Sequence, residues 1–345
     1  MARNNMNTTK TTKVIKSNLT KKATAFTVAA VLFVSIFGGN LMTLQAMADT
    51  GNGKNTNAGV NANVGTSEKQ TARQTLRQTL QTDATTYRQA VQTASLAYRQ
   101  TVHAAQLAHS QAVRDANIAY DQAAQQARAA YNTAVRGAHG SVTVIGPAMA
   151  TRDQAIATAQ NARITATVSA DVTRDKAVDN ALSAYQNSVY GALATRDGAD
   201  GTAQSTFYTA IGNSTLATRS QTIGQAHVTA DNSILQARQT RITAVETADV
   251  TRDQAIGSAQ TAYITAESTA HVTLDNAYTK DSKAWNTGLQ SYWNSVAPMA
   301  QTRDSAIATA NSSHVTAVGN ADATRDQAID QAYATMYGSI AAAYS

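Results

Sequence analysis

Apolar residues recur every eleven positions in the first half of the chain, and this spacing predicts a long helix. From Tyr87 the chain reads YRQAVQTASLA, YRQTVHAAQLA, HSQAVRDANIA, YDQAAQQARAA and YNTAVRGAHG, one unit after another without a gap. Eleven residues make three turns at about 3.67 residues per turn, close to the α-helical value. The repeat therefore predicts helix one over 66–137, either straight or with a slight right-handed supercoil.

Two apolar stripes follow from this unit. The first residue of each unit and the Val four positions later share one face, which we take as a candidate self-association seam: Tyr87, Val91, Tyr98, Val102, Val113, Tyr120, Tyr131 and Val135. A second stripe starts nine residues past the unit start and points nearly opposite: Leu96, Leu107 and Ile118. A helix with two apolar stripes has neighbours on two sides, which is typical of a bundle or a polymer.

A second motif, Thr-Arg-Asp, recurs through the rest of the chain, mostly at multiples of eleven residues. Its complete copies begin at Thr151, Thr173, Thr195, Thr251, Thr302 and Thr324. One carboxylate per unit is a poor calcium site, since calcium takes six to eight oxygens. Ion pairs between helices, or plain solubility, explain the motif better, because neighbouring positions i and i+1 on a helix diverge.

Turn signals divide the repeats. The segment GAHGSVTVIG makes 138–149 the clearest loop. Pro147 and Pro298 each stand just before a repeat array, where proline suits a helix start, so we interpret both as hairpin corners.

The remaining layout follows from those corners. Helix two is expected over 150–296, with a weaker break or only a kink near 198–202, and a corner with helix three over 297–345. Short corners require antiparallel neighbours. The predicted fold is all-α: long antiparallel helices with eleven-residue (hendecad) repeats, forming an elongated helical hairpin or a three-helix rod, as in a coiled coil.

The first 48 residues have the pattern of a secretory signal peptide. Six Lys and Arg without an acid precede an apolar run over 23–37, and Ala46-Met47-Ala48 offers a small-residue cleavage site. The apolar run is shorter than the about 20 residues of a membrane span. Export to the periplasm, cell surface or medium is therefore predicted, and 49–65 is expected to be a disordered polar leader.

Charge changes the list of partners. The 345 residues hold 28 Lys and Arg against 22 Asp and Glu, but the predicted signal peptide holds six of the bases, so the remainder is formally neutral. No nucleic-acid partner is therefore expected, and contact with a membrane, although open, is not favoured. Ala, Thr, Gln and Ser dominate the low-complexity sequence, and there is no Cys for disulfides or thiolate metal sites.

Sequence signals of catalysis are missing. The six His lack the HExxH spacing, and no GxSxG, P-loop or GxGxxG occurs, so no enzyme, cofactor or metal site is predicted. His227 and His271 occupy the repeat position that holds Asp171 and Asp249 elsewhere. A position that accepts either residue is expected to be solvated.

The densest aromatic patch comprises Trp285, Tyr292 and Trp293. It is a candidate partner site, because amphipathic aromatics are enriched at interfaces. Alternatively, it is a hydrophobic plug beside the Pro298 corner, where diverging helices need large side chains.

Eleven-residue helical repeats resemble, in architecture, those of late-embryogenesis-abundant proteins, exchangeable apolipoproteins and α-helical antifreeze proteins. The first two classes imply a membrane-coating or stress-protective role; the third, with Thr every eleven residues on an Ala-rich helix, implies ice binding. Here residues 49–345 hold only five Lys, and Arg-Asp follows many of the threonines.

Three functions are compatible with these observations. The leading hypothesis is a non-enzymatic exported structural protein that associates with itself, or with other envelope or surface proteins, through Ala-rich seams. The second is an amphipathic membrane-coating or stress-protective protein. The third is an ice- or carbohydrate-binding surface protein that uses the Thr rows or the aromatic patch.

Overall fold

The structure, a computed structural model, describes residues 65–278 and 282–345, which form four long α-helices and no strand. These are α1 (Thr66–Gly137), α2 (Val142–Ala210), α3 (Ser214–Asn276) and α4 (Ser282–Tyr344). The predicted all-α class is confirmed. None of these helices is apolar enough over a sufficient length to cross a membrane. The predicted signal peptide and nearly all of the polar leader lie outside the described residues.

Each helix packs against the next helix along the chain. α1 contacts α2, α2 contacts α3 and α3 contacts α4, whereas the Cα atoms of other helix pairs come no closer than 8 Å within the described residues. Consecutive helices are antiparallel, so the fold consists of a first hairpin, α1–α2, and a second hairpin, α3–α4. Each helix is about 95–110 Å long at 1.5 Å per residue.

Threonine, a β-branched residue, is abundant in these helices, and its hydroxyl bonds to a backbone carbonyl of the same helix. Thr229 donates to the carbonyl of Gln225 at 2.9 Å, and Thr240 donates to the carbonyl of Gln236 at 3.0 Å. The same bond to the fourth preceding residue recurs along all four helices, as at Thr79, Thr165, Thr251 and Thr316. Because such residues add little helix propensity, packing between helices must supply most of the stability.

Two tight turns with left-handed residues separate the first three helices. His139 and Gly140 have φ of 45° and 84° between α1 and α2, and Gly212 has φ of 80° between α2 and α3. Asn213 then accepts the backbone N–H of Leu216 at 3.0 Å and caps α3.

The expected helix over 150–296 thus covers most of α2, all of α3 and the start of α4, with a turn at 211–213 and an end of α3 at Asn276. The expected loop over 138–149 is helical from Val142 onward.

The glycines of the predicted break near 198–202 lie inside α2, where they allow close packing. A Cβ added to Gly201 would lie 2.8 Å from the Cα of Gly224 on α3, and a Cβ added to Gly198 would lie 3.3 Å from Val228. The missing side chains therefore serve the contact between α2 and α3 rather than a bend.

Neither proline forms a corner. Pro147 lies in the second turn of α2 and Pro298 lies inside α4. Their carbonyls accept the hydroxyls of Thr151 and Thr302 at 2.8 and 2.9 Å. A helix that packs along most of its length tolerates the one backbone bond that each proline removes.

Candidate functional site

The aromatic members of the seam face α2 and form a ladder with it, at intervals of eleven residues on both helices. From one end to the other, the rungs are Arg152 over Tyr131 (4.6 Å), Arg163 over Tyr120 (4.9 Å), Arg174 beside His109 (3.3 Å), Tyr98 against Tyr185 (5.8 Å) and Arg196 over Tyr87 (5.0 Å). Three of them are cation–π contacts. The four valines of the seam are half-buried. These residues thus hold the first hairpin together, and self-association through them stays a prediction.

The second hairpin has a matching ladder at the same spacing. Its rungs are Arg303 over Tyr263 (4.4 Å), Arg252 beside His314 (3.3 Å), Arg241 and Arg325 joined through Asp322, and Ala230 in one cluster with Met336. An approximate twofold axis between α2 and α3 would relate the two ladders, with His109 matching His314. The chain is therefore two similar hairpins packed through α2 and α3.

A histidine, an aspartate and an arginine meet at the central rung of each hairpin. In the first, Nε2 of His109 and Nη1 of Arg174 lie 2.8 and 2.9 Å from Oδ1 of Asp171. In the second, His314 and Arg252 contact Oδ1 of Asp249 at 2.8 and 3.0 Å.

Burial distinguishes these two clusters. The side chain of Asp171 is 30% exposed, whereas that of Asp249 is fully buried. The expectation that this repeat position is solvated was therefore wrong. At this position each aspartate meets an arginine three residues later on its own helix and a histidine from the neighbouring helix, because a buried carboxylate needs a cation or donor beside it.

The Arg and Asp of each Thr-Arg-Asp motif pair with one another within the helix, contrary to the expectation from the divergence of positions i and i+1. The Arg152 Nε lies 2.6 Å from Asp153, and the equivalent pairs at Arg174, Arg196 and Arg252 are 2.9, 2.5 and 2.6 Å. The guanidinium reaches sideways around the helix, because its Nε and Nη atoms form a fork at the end of a long stem.

Aspartates meet in pairs across the interface between α2 and α3, 22 residues apart on each helix. The pairs are Asp153 with Asp275, Asp175 with Asp253, and Asp197 with Asp231. In the central pair both aspartates follow an arginine, Arg174 and Arg252. In the two outer pairs the residue that precedes the α3 aspartate is apolar, Ala230 or Leu274.

The α3 aspartates of the two outer pairs have strongly raised pKa values. Burial, together with the charge of Asp197, raises the pKa of Asp231 to about 7. Burial, the charge of Asp153 and a hydrogen bond with Asp153 raise the pKa of Asp275 to about 7. Each outer pair therefore keeps a proton through mildly acidic pH, because two adjacent carboxylates cannot both ionise cheaply.

The second stripe lies on the side of α1 away from α2. Leu96, Leu107 and Ile118 are 57%, 56% and 54% exposed. Their large aliphatic side chains therefore form a regular ridge on the outside of the first hairpin.

The aromatic patch divides between core and surface. Tyr292 is buried with Leu274 and Val296, and its hydroxyl lies 2.7 Å from Nε2 of His271. Trp285 packs edge-on against Tyr278, with ring centroids 5.4 Å apart. Trp293 is 60% exposed. Only this tryptophan offers a partner a largely open ring.

A long open groove of about 1000 Å³ runs between α3 and α4. On α3 it extends from Thr218 to Ala244, and on α4 from Ala317 to Ser339. Its lining repeats at eleven residues, as at Ala226 and Ala237 or Ala321 and Ala332, which are buried at its floor. Sequence reasoning missed this groove, although small residues in phase on two helices were the available signal.

The comparisons with known proteins supply no relative. No protein-family model matches the chain, and no curated protein or solved structure matches it either. Across 65–278 and 282–345 no group of three or more His, Asp or Glu is arranged to hold a metal ion. What the described residues offer chemically is proton binding at the α2–α3 interface and two apolar surfaces, the ridge and the groove.

Proposed function

We propose that the chain is an exported structural protein, a coiled-coil rod or a scaffold subunit of a surface or envelope layer, which associates with further copies of itself. The observation that carries the proposal is the ridge formed by Leu96, Leu107 and Ile118, three aliphatic side chains more than half exposed at regular intervals. Large aliphatic side chains that are exposed at one helix face, at regular intervals, support a partner that covers this face.

The eleven-residue spacing supports a lateral, hendecad mode of association. Long helices whose contacts repeat at eleven residues remain in phase over many turns, because that period nearly matches the helix. Alanines form most of the buried hydrophobic positions among the described residues, and such small side chains let helix axes approach closely. Further copies can be added side by side by the same packing that joins the helices within the chain.

Sedimentation velocity of the purified full-length chain over a range of concentrations tests this function. We expect reversible association that Leu107→Asp weakens at least tenfold, since a charge would then lie at the centre of the ridge. Ser312→Asp is the matched control, because Ser312 is the exposed α4 residue that corresponds to Leu107. A wild-type chain that stays monomeric at every concentration would contradict the proposal.

A membrane-coating or stress-protective role is the second candidate. It is favoured by the exposed arginines Arg99 and Arg114 near the ridge, since interfacial helices combine an apolar stripe with flanking basic residues. Far-UV circular dichroism without lipid separates the two roles. High helicity with a cooperative melt supports the self-packed protein, whereas a largely unordered chain that turns helical only with anionic vesicles supports the second role.

A further inference from the structure

We infer that the ridge of one copy docks into the α3–α4 groove of a second copy, so that the chain assembles head to tail. This inference rests on the proposed self-association and assigns it two different, complementary surfaces. An interface of this kind does not close on itself as a twofold dimer does, and it generates rings or open filaments.

The ridge and the lining of the groove have the same spacing. Leu96, Leu107 and Ile118 are separated by eleven residues, about 16.5 Å along a helix. The groove lining repeats at the same interval on both walls, for example Thr222, Ser233 and Ala244 on α3. The large side chains of the ridge would therefore meet equivalent small-residue positions at each step.

The ridge and the groove also match in length and shape. The ridge covers 23 residues, a rise of about 33 Å, and the groove extends over 27 residues of α3, a rise of about 39 Å. The floor of the groove is apolar and consists mainly of alanine, with Met336 near one end. A helix laid in the groove contacts two helices at once, whereas ridge against ridge would join only one helix to one.

The charge of α1 differs from that of the second hairpin. α1 carries eight Lys and Arg against four Asp and Glu, whereas α3 and α4 together carry seven against ten. The two arginines that line the groove, Arg241 and Arg325, both pair with Asp322. Over the groove itself, 218–244 and 317–339, bases and acids number four each, so charge disfavours α1 against α1 and does not oppose α1 in the groove.

The experiment uses two variants of the full chain, each with one surface changed. Leu107→Asp disrupts the ridge and leaves the groove intact, while Ser233→Trp fills the groove and leaves the ridge intact. Both residues are exposed, so circular dichroism should show unchanged helicity and melting. The control for the groove is Ala155→Trp, since Ala155 is exposed on α2 at the position that corresponds to Ser233.

We expect each variant alone to associate at least tenfold more weakly than the wild type, and an equimolar mixture to form a 1:1 dimer that grows no further. Only one intact ridge and one intact groove can meet in that mixture. If Ser233→Trp melts abnormally, Thr229→Trp replaces it as the groove variant. If Leu107→Asp melts abnormally, Leu96→Asp replaces it as the ridge variant.

Other outcomes overturn the inference. Loss of association with Leu107→Asp but not with Ser233→Trp would mean that ridges pack on ridges; the proposed function would survive and the groove would be excluded. Association unaffected by both variants would place the interface elsewhere. A wild-type chain that does not associate would reject the proposed function and this inference together.

Discussion

The two hairpins share one ladder spacing but fill it differently. In the first hairpin, tyrosines and arginines stack at four of the five rungs, and the outer face carries the leucine ridge. In the second, the rungs that match Tyr120 and Tyr131 hold Arg325 and Met336, and a groove stays open beside them. An eleven-residue repeat thus fixes where helices touch, whereas the size of the side chain at each position decides whether a surface protrudes or recedes.

The largest effect is expected where the hairpins join. Gly201→Val should destabilise the fold by about 3 kcal/mol, because a Cβ there would lie 2.8 Å from the backbone of Gly224 and would force α2 and α3 apart. Gly191→Val is the control, since a Cβ at Gly191 has no heavy atom within 4 Å among the described residues. Thermal melts followed by circular dichroism measure both; equal melting of the two variants would show that the glycine contact does not join the hairpins.

The two central clusters should respond unequally to loss of histidine. His314→Leu removes a hydrogen bond from the fully buried Asp249, and should cost about 2–3 kcal/mol. His109→Leu acts on the partly exposed Asp171, where water can replace the imidazole, and should cost about 1 kcal/mol. Urea titrations of both variants provide the comparison. A larger loss at His109 would contradict the assignment of the more buried cluster to the second hairpin.

The outer aspartate pairs predict that the protein becomes less stable as pH rises from about 4 to about 7. The folded-state pKa values of Asp231 and Asp275 are raised to about 7 from an ordinary 3.8, so over this window the folded chain keeps protons that the unfolded chain releases. Below about pH 4 both aspartates are protonated in the folded and in the unfolded chain, so stability does not change through them. Above about pH 7 they are ionised in both states, and the loss of stability is complete.

Thermal melts at pH 5.0 and 7.5 measure this effect. The wild type should lose about 2 kcal/mol between them, roughly 4–8 °C in Tm. The double variant Asp231→Asn with Asp275→Asn should lose much less, because the amides cannot ionise, and this difference separates the two carboxyls from every other titrating group. If the wild type and the double variant lost the same stability between these pH values, Asp231 and Asp275 would not be the source of the pH dependence.

The smallest effect concerns the stacked rungs of the first hairpin. Arg163 lies 4.9 Å from the ring centroid of Tyr120. A double-mutant cycle with Tyr120→Leu and Arg163→Gln should give a coupling of about 0.5–1 kcal/mol, typical of cation–π contacts. As a control, a cycle with Tyr131→Leu and Arg163→Gln should give a coupling near zero, because Tyr131 lies one rung away and contacts Arg152 instead. A coupling near zero at Tyr120 would leave the stacking without an energetic role.

The all-α class could be predicted because the spacing of apolar residues reports helix geometry directly. The positions where α2 and α3 begin and end could not be predicted in this way. Two glycines near 198–202 looked like the break, yet Gly201 serves close packing, whereas the single Gly212 followed by Asn213 makes the turn. A glycine that fills a left-handed turn and a glycine that admits a neighbouring backbone are identical in sequence, and only the tertiary contact separates them.

The candidate site was predictable in part. Spacing alone gave the tyrosine stripe, whose rings contact α2. It also gave the second stripe and predicted a second neighbour for α1, whereas among the described residues this stripe is exposed. The burial of Asp249 and the pairing of Asp275 could not be recognised, because His314 and Asp153, which contact them, belong to different helices. The groove depends on the relative rotation of α3 and α4, which a single helix does not encode.

The uniform ladder of the first hairpin has a mechanical consequence. If tension were applied along α1, a slip of one unit, about 16.5 Å, would bring most rungs against another Tyr or Arg and restore similar contacts. Two rungs have no equivalent to slip onto, the one formed by His109 with Arg174 and the one formed by Tyr98 with Tyr185. Such a hairpin should yield to shear in steps of one repeat unit. It should recover its register afterwards, because these two rungs fit only in the original alignment.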